Sequence, residues 1–174
     1  MAVLARKIAR AKWEPKPGLA AGEIAADAVT ADLKTTDNTL SFWRCPTAGP
    51  DDVKRAILAL AANAERLDRL DVVYVPEAAV NDAGLTTRDT LGDTPVVSLR
   101  GLHVDIARLD LARLGSVARM VADAHRTNAT LSMTKKEVLD LVVGAVREQL
   151  VGIQDLKGEM RAKVEAKLQP DPAG

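Results

Sequence analysis

Residues 93–126, DTPVVSLRGLHVDIARLDLARLGSVARMVADAHR, contain the longest apolar-periodic run of the chain and both of its histidines. Residues 102–106 alternate between apolar and polar side chains, which is typical of a strand. From Leu111 onward the apolar spacing becomes helical, and Asp110 can cap that helix. The stretch therefore predicts a strand that leads directly into a helix.

A helical interpretation of the first part stays open. Val96, Leu99 and His103 also lie at helical spacing, and Asp93-Thr94-Pro95 is a suitable helix start. We predict a strand within residues 94–107, with a helix as the alternative.

The preceding residues predict a second set of strands. Residues 29–35 and 39–45 would form a hairpin around a Thr-Asp-Asn turn. Residues 51–70 carry a clean apolar stripe at spacings of three and four, which predicts a helix. Residues 71–75, DVVYV, read as a short buried strand. Strand, helix and strand suggest a βαβ unit, which would be right-handed and parallel if its strands are neighbours.

The C-terminal part is predicted to be mainly helical. Thr134 and Glu137 form a Thr-x-x-Glu capping box at the start of a helix that ends near Leu150. A last helix should end near Leu168. The fold class is therefore α+β: a small mixed sheet, made of the hairpin and the βαβ unit, packs on the 51–70 helix. We expect a basic N-terminal arm over residues 1–22, one globular domain over 23–168 and a frayed tail over 169–174.

Composition narrows the classes of function. The 174 residues are 47% hydrophobic and 28% charged, which is typical of a globular chain. Lys plus Arg equals Asp plus Glu, 24 each, so no global field attracts nucleic acid or an anionic membrane. The single Cys45 excludes an intramolecular disulfide and fits a reducing compartment. No apolar run is long enough for a membrane span, and a cytoplasmic location is the expectation.

The N-terminal residues supply a candidate interface. Basic side chains beside an aromatic ring are suited to partner binding. The candidates are Arg6, Lys7, Arg10, Lys12 and Trp13.

His103 and Asp105 are the weak catalytic candidates. On a strand they share one face about 7 Å apart, which would suit general acid–base chemistry. Two ligands do not make a zinc site, and no nucleotide or cofactor motif is present, so we predict no metal and no cofactor. His125 lies at a helix C-terminus, where a cation suits the helix dipole. Cys45 is interpreted as a buried, inert thiol.

These observations favour a non-catalytic cytosolic accessory or regulatory protein that binds another protein. A toxin-neutralising (antitoxin) or phage-defence component is one setting for it. A homo-oligomer is compatible with the sequence. The first alternative is a small hydrolase-type enzyme using His103 and Asp105. The second is a nucleic-acid-binding module that uses the C-terminal helices, although their mixed charges do not favour nucleic acid as a partner.

Overall fold

The structure, a computed structural model, describes residues 1–169. These residues form six strands, seven helices and two 3-10 turns in an α+β arrangement, so the predicted class is confirmed. The part of the predicted tail beyond Gln169 lies outside the described residues. The strands are β1 (Val3–Ile8), β2 (Leu40–Cys45), β3 (Leu70–Pro76), β4 (Thr86–Asp89), β5 (His103–Ala107) and β6 (Thr130–Met133). The helices are α1 (Arg10–Trp13), α2 (Ala26–Asp32), α3 (Pro50–Ala62), α4 (Glu77–Asp82), α5 (Leu111–Arg126), α6 (Lys135–Arg147) and α7 (Gly158–Leu168).

The six strands form one sheet in the order β4-β5-β2-β1-β3-β6, and every pair of neighbours is antiparallel. β1 pairs with β2 on one side and with β3 on the other. The basic residues of the N-terminal segment predict an arm, but residues 3–8 instead form an interior strand of the sheet. Val3, Leu4 and Ala5 are buried, because both faces of β1 are covered.

Helices cover both faces of the sheet and create two apolar cores. On one face, Val3, Ala5 and Val72 pack with residues of α3, α6 and α7. On the other, Leu4 and Phe42 pack with α2, α4 and α5. Because successive side chains of a strand point to opposite faces, the two cores take alternate residues of β1.

The predicted βαβ unit is present in modified form. β2 and β3 are each antiparallel to β1, so they run parallel to each other and α3 connects them. They are not neighbours, because β1 lies between them and forms hydrogen bonds to both. The sheet is therefore antiparallel throughout, and the prediction of a mixed sheet is wrong at this point.

The first hairpin is only partly present. Its turn is correct: Thr36 and Thr39 form a bridge around Asp37 and Asn38, whose φ angles are 51° and 57°. The strand before it is wrong, because residues 26–32 form α2. Ala-rich sequence favours helix, and Ala28 and Leu33 anchor the segment against the core.

Both interpretations of residues 94–107 hold in part. A 3-10 turn spans Val97–Leu102, and β5 follows at His103–Ala107. Two short edge strands, β4 and β6, are not among the strands predicted from the sequence. β4 (TTRD) contains no apolar residue, and the alternation of β6 (TLSM) covers only four residues.

The caps of the two long C-terminal helices are as predicted. The Asp110 carboxylate accepts a hydrogen bond from the backbone N–H of Arg113 at the start of α5. Thr134 and Glu137 form the complete capping box of α6. Among residues 1–169, none of the helices is both long and apolar enough to span a membrane.

Candidate functional site

Four of the five predicted interface residues line two different grooves. Arg6 and Lys7 line a groove at the end of the sheet, and Arg10 and Trp13 line a groove beside α5. Lys12 is exposed between them on α1. The residues therefore do not form one continuous arm, because β1 and α1 place them on different parts of the surface.

The first of these, the sheet-end groove, has a volume of about 490 Å³. It lies where β1 ends and where β2 and β3 begin. Its apolar surface includes Ile8, Trp43 and Leu60, and its charged side chains are Arg6, Lys7, Asp32, Arg69 and Asp71.

Arg6 is a fixed part of the wall of this groove. Its Nε donates to the Asp32 carbonyl at 2.8 Å, and its Nη1 donates to the Ser41 carbonyl at 2.5 Å. The guanidinium also lies 5.6 Å from the centre of the Phe42 ring. Burial lowers the pKa of Arg6 to about 10, against a smaller opposing effect of Asp32. Arg6 thus stays a cation at neutral pH.

Lys7 differs from Arg6 in being exposed. Among residues 1–169 it forms no ion pair, whereas Arg69 pairs with Asp71 at 2.9 Å. The second acid, Asp32, accepts hydrogen bonds from the Ala9 backbone and the Trp13 indole. The acids of the sheet-end groove therefore have partners, and Lys7 leaves it with an excess positive charge.

The structure brings His103 and Asp105 into one polar cluster with Thr90 and Ser41. The Thr90 hydroxyl donates to Asp105 at 3.1 Å and lies 2.7 Å from His103 Nδ1. Ser41 donates to the other carboxylate oxygen at 3.0 Å. Because the Thr90 hydroxyl has a single proton, Nδ1 must be the donor of the 2.7 Å bond. His103 and Asp105 are thus linked through Thr90.

Two further features define this cluster. The edge of the Trp43 ring packs on His103, with the ring centres 5.2 Å apart, and burial lowers the pKa of His103 against the pull of Asp105. Four cavities among the described residues have linings that omit both His103 and Asp105. Thr90 and Ser41 converge on the pair, and of the cluster Ser41 also lines the sheet-end groove.

The second groove, the α5 groove, lies between residues 13–25 and the last turn of α5. Its volume is about 460 Å³, within the range of about 300–1,000 Å³ that is common for small-molecule sites. Trp13 forms part of its wall and is 9% exposed. The Trp13 indole N–H donates to Asp32 at 2.7 Å, so the ring is fixed in place.

His125 is a functional candidate in the structure, whereas the sequence predicts for it only a favourable interaction with the helix dipole. It does lie in the last turn of α5, but its side chain is only 7% exposed and lines the α5 groove. Among residues 1–169, Nε2 of His125 is the one buried side-chain polar atom without a hydrogen-bond partner. Glu14 Oε1, the acidic atom facing it, is 3.6 Å away. The sequence does contain one indication that His125 is buried, namely its position on the apolar face of its helix.

The remaining candidates are Cys45 and the C-terminal helices. Cys45 is buried, as predicted, and burial is the main cause that raises its pKa to about 12. No group of three His, Cys, Asp or Glu side chains within residues 1–169 is arranged to hold a metal ion. On the C-terminal helices, Lys135, Arg161 and Lys167 form ion pairs with Asp68, Glu165 and Asp140.

Comparison with known proteins adds no relative to this description. No family model, no curated protein and no solved structure matches the chain.

Proposed function

We propose that this chain is a non-catalytic, cytosolic accessory or regulatory protein that binds an acidic segment of another protein at the sheet-end groove. The observation that carries the proposal is Lys7, an exposed cation without an ion-pair partner among residues 1–169. It lies beside apolar side chains on a strand in the interior of the sheet. A toxin-neutralising or phage-defence component remains one setting for such binding.

The charges of the groove favour an acidic partner. In the lining of the sheet-end groove, Arg6, Lys7 and Arg69 outnumber two acids, and both acids already have hydrogen-bond partners within the chain. Lys7 also lines an adjoining cavity with Glu65 and Asp68, but it forms no ion pair with either. A carboxylate of a partner would therefore meet Lys7 without having to displace an internal ion pair. Complementary charge of this kind increases the association rate and selects among partners.

The rigidity of the groove supports the same proposal. Ile8 and Trp43 are almost fully buried, and they belong to paired strands of the sheet. The Arg6 guanidinium is fixed by two backbone carbonyls. A partner side chain would thus enter a preformed surface, which reduces the entropy lost on binding.

The His103 cluster also supports a non-catalytic role. The polar groups of His103, Asp105, Thr90 and Ser41 bond to one another, and the linings of four cavities of the described residues omit His103 and Asp105, although Ser41 lines the sheet-end groove. Such a network stabilises the β2–β5 pair without requiring a substrate.

The proposal is tested by affinity capture with the full-length chain from a lysate of its native cells. The wild type is compared with Lys7→Glu and with Arg119→Glu, which makes the same charge change on the exposed side of α5. We expect a protein captured in an amount comparable to the bait, reduced about tenfold by Lys7→Glu and unchanged by Arg119→Glu.

Thermal unfolding of both variants confirms that each retains the fold. Capture of no protein by the wild type, or equal capture by the wild type and Lys7→Glu, would show that the sheet-end groove is not the binding surface.

A further inference from the structure

The α5 groove and the sheet-end groove have no lining residue in common. They are linked by the hydrogen bond from the Trp13 indole to Asp32, but an inference about the α5 groove does not rest on the proposed function. We propose that the α5 groove is a small-molecule site for a compact, mainly apolar alcohol or phenol. The hydroxyl group of this ligand is held between Glu14 and His125.

The apolar part of the ligand is selected by the walls of the groove. Trp13, Leu19 and Ile24 line the N-terminal side, and Ala122 lines the side formed by α5. The Trp13 indole N–H is already bonded to Asp32, so this ring offers the groove apolar surface rather than a free donor. Leu19 is 41% exposed, which places an apolar side chain at the opening.

The polar part of the ligand is selected by His125. A buried polar atom without a partner costs free energy, and buried polar atoms in folded proteins generally have partners. Among the described residues, His125 Nε2 is the exception to this rule. A ligand that forms a hydrogen bond with this atom would therefore gain binding free energy that a purely apolar molecule cannot gain.

Glu14 determines which polar group fits. Its Oε1 lies 3.6 Å from His125 Nε2, which is too long for a direct hydrogen bond. The separation is short enough for both atoms to contact one hydroxyl oxygen. A hydroxyl can donate to the Glu14 carboxylate and accept from the His125 Nε2–H, so it satisfies both groups at once.

Charged ligands fit this position less well. A carboxylate placed there would be repelled by Glu14. An ammonium group has no lone pair with which to accept the His125 Nε2–H, so it would leave that atom without a partner. Like charges close together are unfavourable, and this leaves a neutral hydroxyl as the best match.

Phenol and anisole are the probes. Both have an aromatic ring, but the phenol hydroxyl can donate a hydrogen bond and the anisole ether oxygen can only accept one. Each is titrated to about 10 mM into the full-length ¹⁵N-labelled chain and followed by ¹H–¹⁵N correlation spectra. We expect phenol to shift the signals of residues 13–25 and 122–128 and the Trp13 indole, and to leave the Trp43 indole unchanged. Phenol should bind about tenfold more tightly than anisole.

Two variants assign this preference to the proposed pair of side chains. His125→Phe keeps an aromatic ring in the site but removes the polar atom, so phenol and anisole should bind equally. Glu14→Leu changes a half-exposed side chain and should abolish the preference as well, which provides a test if His125→Phe does not fold. His103→Gln alters the other histidine and should leave the preference intact.

Several results would overturn the inference. They are no shift with either probe, equal binding of phenol and anisole to the wild type, or shifts centred outside the α5 groove. Retention of the phenol preference in both the His125 and the Glu14 variants would also exclude the proposed hydroxyl contact.

Discussion

The two histidines of this chain lie in opposite situations. His103 bonds through Nδ1 to the Thr90 hydroxyl, which in turn bonds to Asp105. His125 is more deeply buried, yet its Nε2 has no partner among the described residues. The sequence could place each on its element, because His103 alternates with apolar residues and His125 continues an apolar helical face. The sequence could not reveal the groups that face them, because Thr90 and Glu14 belong to other segments of the chain.

His103 should make folding stability depend on pH. Burial lowers its pKa in the folded chain below the ordinary value of 6.5, so the unfolded chain binds a proton more readily. Stability should therefore decrease as the pH falls through about 6.5, and it should be restored above that value. Urea unfolding of the wild type and His103→Gln at about pH 7.5 and pH 5.5 measures this contribution.

The contribution of His103 is the difference between the wild type and His103→Gln in how the free energy of unfolding changes with pH, because all other titratable groups are common to both proteins. The stability lost on acidification should be smaller in His103→Gln than in the wild type. An equal or larger loss in the variant would show that protonation of His103 does not oppose folding.

At the scale of elements, the helices were more predictable than the strands. α5 and α6 have apolar stripes and side-chain caps that are local in sequence. The edge strands β4 and β6 are only four residues long, and their strand state depends on pairing with β5 and β3. No pattern within four residues can report such pairing.

The C-terminus of α6 offers a direct test of local geometry. Gln149 has a φ of 59°, and the N–H of Leu150 bonds to the Ala145 carbonyl at 2.9 Å, as in a Schellman motif. Glycine adopts this conformation without steric cost. Gln149→Gly should therefore raise the free energy of unfolding by about 0.5–1 kcal/mol in urea titrations.

The neighbouring residue is the matched control. Glu148 has a φ of −80°, which suits any L-residue, so Glu148→Gly should lower the free energy of unfolding by about 0.5–1 kcal/mol. Equal effects of the two substitutions would contradict the left-handed conformation at Gln149.

At the scale of the whole molecule, β1 determines the topology. It separates β2 from β3, makes the sheet antiparallel throughout and contributes alternate side chains to both cores. It also places Arg6 and Lys7 at the sheet-end groove. The sequence predicted the α+β class and the succession of β2, α3 and β3, because these follow from local periodicity.

The position of β1 was not predictable in the same way. A strand covered on both faces shows a continuous apolar run rather than an alternation, and residues 2–5 supply only a short one. Arg6, Lys7, Arg10 and Lys12 then give the segment the composition of a solvated arm. These charged residues begin near the end of β1, where the strand is no longer covered by the two cores. That position depends on the assembled sheet and cannot be recognised from the segment alone.

Amide hydrogen exchange of β1 in the native full-length chain tests this account most directly. In the structure, the amides of β1 pair with β2 and β3 in the interior of the sheet. Exchange at Leu4, Ala5 and Arg6 should therefore be as slow as at Val72 and Val73 of β3, because it requires opening of the sheet. Rapid exchange of β1, with β3 still protected, would mean that the N-terminal residues form a flexible arm and that the sheet-end groove does not exist as described.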